Sequence, residues 1–488
     1  MANASGHLIS VVIPSFSNAA RIFSSSIGTI LCGKRNRVYH DVPWKEGCTL
    51  KIALVHSRLD PAGRNIRAVI DAILADPEGR SPFPLEQHEL TFFEAPERLI
   101  FQDHIDRKLS ADLIIFLSRH ASTRPARVLT VHVTGNIGTA ELGGVAGSLA
   151  VASPAWMHAV LCGLSRHAPP GYRVSYEVTH HGPTELDTPS FFVEIGSTEE
   201  EWTDARAGHA VAQSLLEAEP AETLNLTGIG GTHYARRETG IALQSRAAFG
   251  HIVHSRYASS LDQEMLAALV TKSAAGAVYV DRKAVSSGEL DRIDALAAGL
   301  GIFRLSETEI LQLRHISLSL WNEIRSTAQQ ICPGSSVSIS GALREGVPCQ
   351  IALPADLLAE TLRVDPAGFR AALDHLPIAF FSCGGIPVLP EFITTEENPP
   401  DILNDLISLC VTTICSGETT AIEGDRLIIR RTGFDPEKAR NLGIPPGPLY
   451  GELMKGNVVA VNGREITPDM VRISRVTCIR IPGLEKLI

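Results

Sequence analysis

The sequence has no cysteine pair in CxxC spacing. Its nine cysteines, Cys32, Cys48, Cys162, Cys332, Cys349, Cys383, Cys410, Cys415 and Cys478, are scattered and odd in number. That excludes a zinc ribbon or a dithiol redox motif and predicts reduced, mostly buried thiols in a cytoplasmic protein. No apolar run approaches the ~20 residues of a membrane span. LISVVI near the start has no basic stretch before it and is cut by Pro14, which argues against a secretory signal. An excess of positive charge is also missing: 44 Lys and Arg face 54 Asp and Glu, for a formal net charge of −10. Such a chain does not coat nucleic acid by bulk charge. A local patch gripping one structured RNA stays open, because arginine far outnumbers lysine and suits bidentate phosphate contacts. There is no phosphate loop either. The glycines of GIGGTH, Gly228, Gly230 and Gly231, are not followed by Lys-Ser/Thr, although they let backbone come close to a ligand.

What is present is a globular composition, 44% hydrophobic and 20% charged over 488 residues. At ~150 residues per domain that predicts two or three domains. Residues 1–49, rich in Ser, Gly and Asn, read as a loosely ordered extension. KIALVHS (51–57) reads as a buried strand, followed by a helix in NIRAVIDAILAD with Asn65 as its cap. Further strands are expected in ADLIIFL (111–117), VLTVHVTGN (128–136), Tyr172–Val178, LNLTGIG (224–230) and GAVYVD (276–281). Helices are expected over 154–168, over 199–216 with Ser197 and Glu200 in capping-box spacing, and near 288–299. Alternating strands and helices predict an α/β fold, a three-layer sandwich around a mixed, largely parallel sheet, spanning 50–305. A helical linker, 306–334, then leads to a smaller α+β domain, 335–488, with Asn462-Gly463 as a hairpin turn.

The chain is organised around YEVTHHGPTELDTPSFFVEIGS (176–197). A strand ends in His180 and His181, Gly182-Pro183 turns the chain, and Glu185, Asp187 and Glu194 follow. Other strands end in Ser118-Arg119-His120, in His132 with Thr134, Gly135 and Asn136, and in Gly230-Gly231-Thr232-His233. In open α/β sheets, sites gather outside the carboxyl ends of strands, so these loops are expected to deliver His120, His132, His180, His181 and His233 to one cleft. Neutral imidazoles with a carboxylate suit Zn²⁺, which lowers the pKa of bound water to ~7. A metal-free site needs one histidine as base, and His180 and His181 are the first choices. Nearby Thr and Gly groups are candidates to hold an oxyanion. Arg119, Arg124, Arg127, Arg236 and Arg237 flank these loops as candidate phosphate contacts, a solvated charged face being the alternative. His7, His40, His88 and His375 are given no site role.

The segments SRH (118–120), HVTGN (132–136), THHGPTELDTPSFFVEIGSTEEEW (179–202), GIGGTHYA (228–235) and AFGHI (248–252) together resemble the archaeal and plant type of zinc-dependent D-aminoacyl-tRNA deacylase over roughly residues 51–305. The resemblance implies a monomeric, cytoplasmic enzyme whose fold is related to peptidyl-tRNA hydrolases and nucleoside phosphorylases. It implies hydrolysis of the ester joining a D-amino acid, or mischarged glycine, to the 3′ end of tRNA, with one or two Zn²⁺. The residues set against that chemistry are His180, His181, Glu185 and Thr134 as catalytic; Ser118, Arg119, Asn136, Gly230, Gly231 and Thr232 toward the substrate; and His120, His132, His180, His181 and His233 toward metal. A peptidyl-tRNA hydrolase-like esterase and a non-catalytic tRNA-binding protein are the alternatives. The stretch 433–471, with PPGPLYGELMKG, resembles a late segment of ribonuclease Z, but the HxHxDH metal motif of that nuclease is missing. The tail is therefore expected to be an accessory domain.

Overall fold

The computed structural model describes residues 49–76 and 81–487, so the extension expected over 1–49 lies outside the described residues except for its last. The described chain divides into two compact units, one closing at Arg314 and one opening at His315. That division falls inside the stretch read as a linker.

The first unit contains strands β1 (Lys51–Ser57), β2 (Glu89–Ala95), β3 (Leu113–Ala121), β4 (Val128–His132), β5 (Arg173–Tyr176), β6 (Ser190–Ser197), β7 (Leu224–Ile229), β8 (Ala247–Val253), β9 (Ala277–Val280) and β10 (Arg304–Leu305). β3, β4 and β6 are buried almost throughout, as strands covered on both faces must be. They belong to a six-stranded sheet in the order β2-β1-β3-β6-β4-β5, parallel except where β4 meets β6. A second, parallel sheet runs β10-β9-β7-β8. The mixed, largely parallel α/β architecture is the one expected, but it is split between two sheets.

Residues 177–181 form the seam between those sheets. The Glu177 N–H donates to the Val131 carbonyl of β4 at 3.1 Å, whereas the Thr179 N–H donates to the Ile252 carbonyl of β8 at 2.7 Å. Between them the Val178 N–H donates to the His233 carbonyl at 3.1 Å, and beyond them the Gly135 N–H donates to the His181 carbonyl at 2.9 Å. This stretch looked in sequence like a continuation of one strand. It instead leaves β5 after Tyr176 because its alternate backbone groups are claimed by different sheets.

Two local expectations are corrected. The helix after β1 spans Pro61–Ala75 and is capped by Asp60, whose Oδ1 accepts the N–H groups of Ala62 and Gly63 at 3.0 Å. Asn65 lies within that helix, and its Nδ2 donates to the Trp202 and Asp204 carbonyls at 3.0 Å. The helix expected over 199–216 is two, Glu199–Trp202 and Ala205–Leu216. The capping box sits one residue later than expected, on Thr198 and Glu201, because the Ser197 hydroxyl is spent on Ala126.

The second unit is α+β. An antiparallel sheet of Ser336–Ile339, Ile378–Ser382, Glu391–Thr394 and Cys349–Ala352 and a three-stranded sheet of Thr419–Glu423, Arg426–Phe434 and Arg472–Arg480 accompany the helix Pro399–Gly417. Leu357, Phe369, Phe392, Leu406, Ile414, Leu427 and Ile479 share its core. Asn462 and Gly463, at φ of 51° and 77°, turn the expected hairpin. The cysteine expectation fails here. Cys332 and Cys383, 51 residues apart in sequence, have Cα atoms 6.6 Å apart and form a disulfide, while Cys415 and Cys478 are exposed.

Candidate functional site

The five histidines expected at strand ends form one continuous cluster. Ring centroids lie 5.0 Å apart for His132 and His181, 4.6 Å for His132 and His180, 4.4 Å for His180 and His181, 4.8 Å for His180 and His233, and 5.1 Å for His233 and His120. β3 delivers His120, β4 delivers His132, the seam delivers His180 and His181, and the loop after β7 delivers His233.

At the centre is Glu177, whose side chain is fully buried. Its Oε1 is 3.0 Å from His120 Nδ1, and its Oε2 is 3.1 Å from His233 Nε2 and 3.5 Å from His180 Nε2. Glu194, buried on β6, reaches His120 Nδ1 at 3.6 Å, and the Tyr234 hydroxyl meets His120 Nε2 at 3.1 Å. Glu177 was not singled out in the sequence, though a carboxylate inside an otherwise apolar alternation, Tyr176 to Val178, is a signal that a buried partner is waiting.

The electrostatics divide the cluster. Burial drives His181 down to about 3 and His180 down to about 4, and holds His132 well below its ordinary range. These three are free bases at neutral pH. For His120 burial acts the same way, but the charge and hydrogen bonds of Glu177 and then Glu194 outweigh it and raise the imidazole to about 11. Glu177 is held well below the carboxylate range despite its burial, chiefly by His120. Burial pushes Glu194 up to about 7 against the pull of His120.

Tautomers follow from the carbonyls nearby. His180 Nδ1 lies 2.7 Å from the Val178 carbonyl and His181 Nδ1 lies 2.6 Å from the Gly182 carbonyl, so both Nδ1 atoms carry the proton. The Nε2 lone pair of neutral His180 then faces a carboxylate oxygen at 3.5 Å, and that of His181 faces His132 Nε2 at 3.3 Å. His132 Nδ1 is buried with no hydrogen-bond partner among the described residues. His180 Nε2 and Glu177 Oε2 are thus two acceptors held face to face, which suits a cation between them, while the His132–His181 contact is met either by an Nε2–H of His132 or by a metal ion. Tetrahedral zinc with Zn–N of ~2.0–2.1 Å sets neighbouring ligand nitrogens roughly 3.3–3.4 Å apart, which fits the His132–His181 pair. Three groups hold their ligand atoms within 4.8 Å of one another: His132, His180 and His181; His120, Glu177 and His233; and His132, Glu177 and Glu194.

The other expected residues are placed as follows. Glu185 is in none of those groups, and its Oε1 accepts the Ser148 hydroxyl at 2.6 Å. Thr134 donates its hydroxyl to the Pro183 carbonyl at 2.5 Å and thereby holds the histidine turn. Asn136 Nδ2 donates to the Gly143 carbonyl at 2.8 Å, and the Ser118 hydroxyl donates to Asp60 at 3.1 Å. Gly230 and Gly231 take φ of 108° and 91°, conformations that suit glycine and carry the chain into His233. Of the flanking arginines, Arg127 pairs with Glu200 and Glu201, and Arg237 with Asp281 and Glu307, so both are already neutralised.

A largely parallel α/β sheet with a buried imidazole–carboxylate centre beyond its strand ends defines an α/β protein with a metal-capable site. A family model described as D-aminoacyl-tRNA deacylase matches residues 107–304. A D-aminoacyl-tRNA deacylase of Methanoculleus marisnigri is 48% identical over 439 residues, covering 90% of this chain and 100% of its own length. That of Natronomonas pharaonis is 32% identical over 444 residues, covering 86% and 98%. The solved structure of a conserved protein of unknown function, AF0625, is 36% identical, covers 54% of this chain and 97% of its own, and superposes with a TM-score of 0.49. The chain belongs to the D-aminoacyl-tRNA deacylase family. At 90% coverage the likeness runs well past residue 305, so the second unit is shared with full-length deacylase relatives.

Proposed function

We propose that this protein hydrolyses the ester of D-aminoacyl-tRNA, and of mischarged glycyl-tRNA, to release free tRNA and the amino acid, as a zinc-dependent monomer in the cytoplasm. The observation that carries this reading is the Glu177-centred cluster of five histidines in a chain 48% identical to a D-aminoacyl-tRNA deacylase across its length. The monomeric state and the cytoplasmic site rest on the family resemblance; no helix among the described residues is long and apolar enough to cross a membrane.

His132, His180 and His181 would hold one zinc ion, and His120, Glu177 and His233 are the set for a second. Zinc would lower the pKa of water to ~7, which makes hydroxide available at neutral pH. The chain's own residues do the rest. The Val178 and Gly182 carbonyls fix the Nδ1 protons of His180 and His181, so both Nε2 lone pairs face the site. Glu177 keeps a negative charge among them. His233, 41% exposed while Glu177 is fully buried, marks the side from which an ester arrives. Gly230 and Gly231 let backbone approach it. The second unit serves as an accessory domain.

The test is release of D-tyrosine from D-tyrosyl-tRNA by purified protein, with and without a chelator. Release that is lost with chelator and restored by zinc is expected. No release by metal-replete protein sinks the reading, and faster turnover of N-blocked aminoacyl-tRNA would move it to a peptidyl-tRNA hydrolase.

A further inference from the structure

We propose that two arginine–aromatic pairs beside His120, Arg119 with Trp202 and Arg173 with Tyr234, form the subsite for the 3′-terminal nucleotides of the tRNA. This rests on the deacylase reading and adds where the nucleic acid is held.

Both aromatic residues are anchored to His120. Trp202 Nε1–H donates to its carbonyl at 2.9 Å, and the Tyr234 hydroxyl meets its ring nitrogen at 3.1 Å. Each carries a guanidinium: the Arg119 carbon lies 5.0 Å from the Trp202 ring centroid, and that of Arg173 lies 5.5 Å from the Tyr234 centroid. Tyr234 also neighbours His233, the most exposed imidazole of the cluster, with ring centroids 5.2 Å apart. The Arg173–Tyr234 pair therefore adjoins the open side of the site, whereas Arg119, next to His120 in β3, leaves that strand on the opposite face and places its pair with Trp202 at the strand's end.

Charge pairing separates these arginines from their neighbours. Arg127 and Arg237 spend their donors on carboxylates. Among the described residues no carboxylate lies within ion-pair distance of Arg119 or Arg173; their backbone N–H groups are engaged, by Asp60 and by the Arg127 carbonyl at 3.0 Å each, and Arg119 is half-buried while Arg173 is exposed. A guanidinium laid on an aromatic ring keeps its edge N–H groups free for phosphate oxygens. Aromatic and guanidinium planes are also the surfaces on which splayed single-stranded bases stack. Two such surfaces, one against the His120 ring and one at the end of the strand that carries it, suit a short single strand whose last nucleotide bears the ester.

The test uses the full chain and uncharged tRNA, so that binding is read apart from hydrolysis. Filter binding compares intact tRNA ending in CCA with the same tRNA lacking its terminal adenosine. Arg119→Ala and Arg173→Ala should each weaken binding of intact tRNA about tenfold, shrink the preference for the intact end, and lower the slope of log affinity against log salt by about 0.7. Arg119→Lys should keep the salt slope but lose the end preference, because it retains the charge without the plane. Arg127→Ala should bind like the parent. Unchanged affinity, slope and end preference in both alanine variants would overturn the proposal. If the parent still releases D-tyrosine, that failure leaves the deacylase reading standing. If the parent releases none while the arginine variants lose end-specific binding, the subsite stands and the reaction does not.

Discussion

At the scale of single residues, Glu177 is where the chemistry converges. One carboxylate serves His120, His180 and His233. Glu177→Gln keeps the shape but removes the charge, so metal content should fall along with at least a hundredfold of kcat/KM for D-tyrosyl-tRNA, checked by elemental analysis and deacylation together. The buried neutral histidines give a second prediction. His180 and His181 lie at about 4 and about 3, and His251, buried and bonded to the Ala150 carbonyl, lies at about 3, all below their ordinary value of 6.5. The unfolded chain therefore takes up protons first as pH falls, and stability contributed by these groups, complete above about pH 6.5, is lost progressively down to about pH 3. Urea midpoints of metal-stripped protein should decline over that window, and a flat profile would contradict the neutral assignments. The five histidines were legible because each sits at the end of an apolar run. Glu177 was not, because two of its three partners, His120 and His233, lie more than fifty residues away on either side and only His180 is local. Nor could the sequence tell Arg119 from Arg127: whether a guanidinium meets a ring or a carboxylate is decided by tertiary placement.

At the scale of elements, Asp60 ties a helix to the strand that carries His120. Besides capping Pro61–Ala75 it accepts the Ser118 hydroxyl at 3.1 Å and the Arg119 N–H at 3.0 Å. Asp60→Ala removes an N-cap and strands two further donors, so a loss of about 2–3 kcal/mol is expected in equilibrium unfolding, with Asp60→Asn losing less. The strands KIALVHS and ADLIIFL and the helix after Pro154 were readable from local pattern. The cap at Asp60 was missed because Asn65 also has cap chemistry, and only the bonds from Asn65 to Trp202 and Asp204 reveal that it braces a different helix.

At the scale of the whole molecule, each unit has a core of its own, so calorimetry should resolve two transitions. Only the transition of the first unit should drop on metal removal, since a ligand bound to the folded state alone stabilises the unit that holds it. Equal shifts of both would place metal elsewhere. The α/β class was evident from alternating strands and helices. That the strands divide into two sheets was not, since no local pattern says which neighbour a strand will choose.

The histidine turn hangs from backbone bonds to both sheets through Val131, His233 and Ile252. It works as a clasp: spreading the sheets would pull the imidazoles apart, and anything gripping the imidazoles draws the sheets together. Deuterium uptake at the Val178 and Thr179 amides should therefore slow when the pocket is filled, so that backbone exchange reports occupancy.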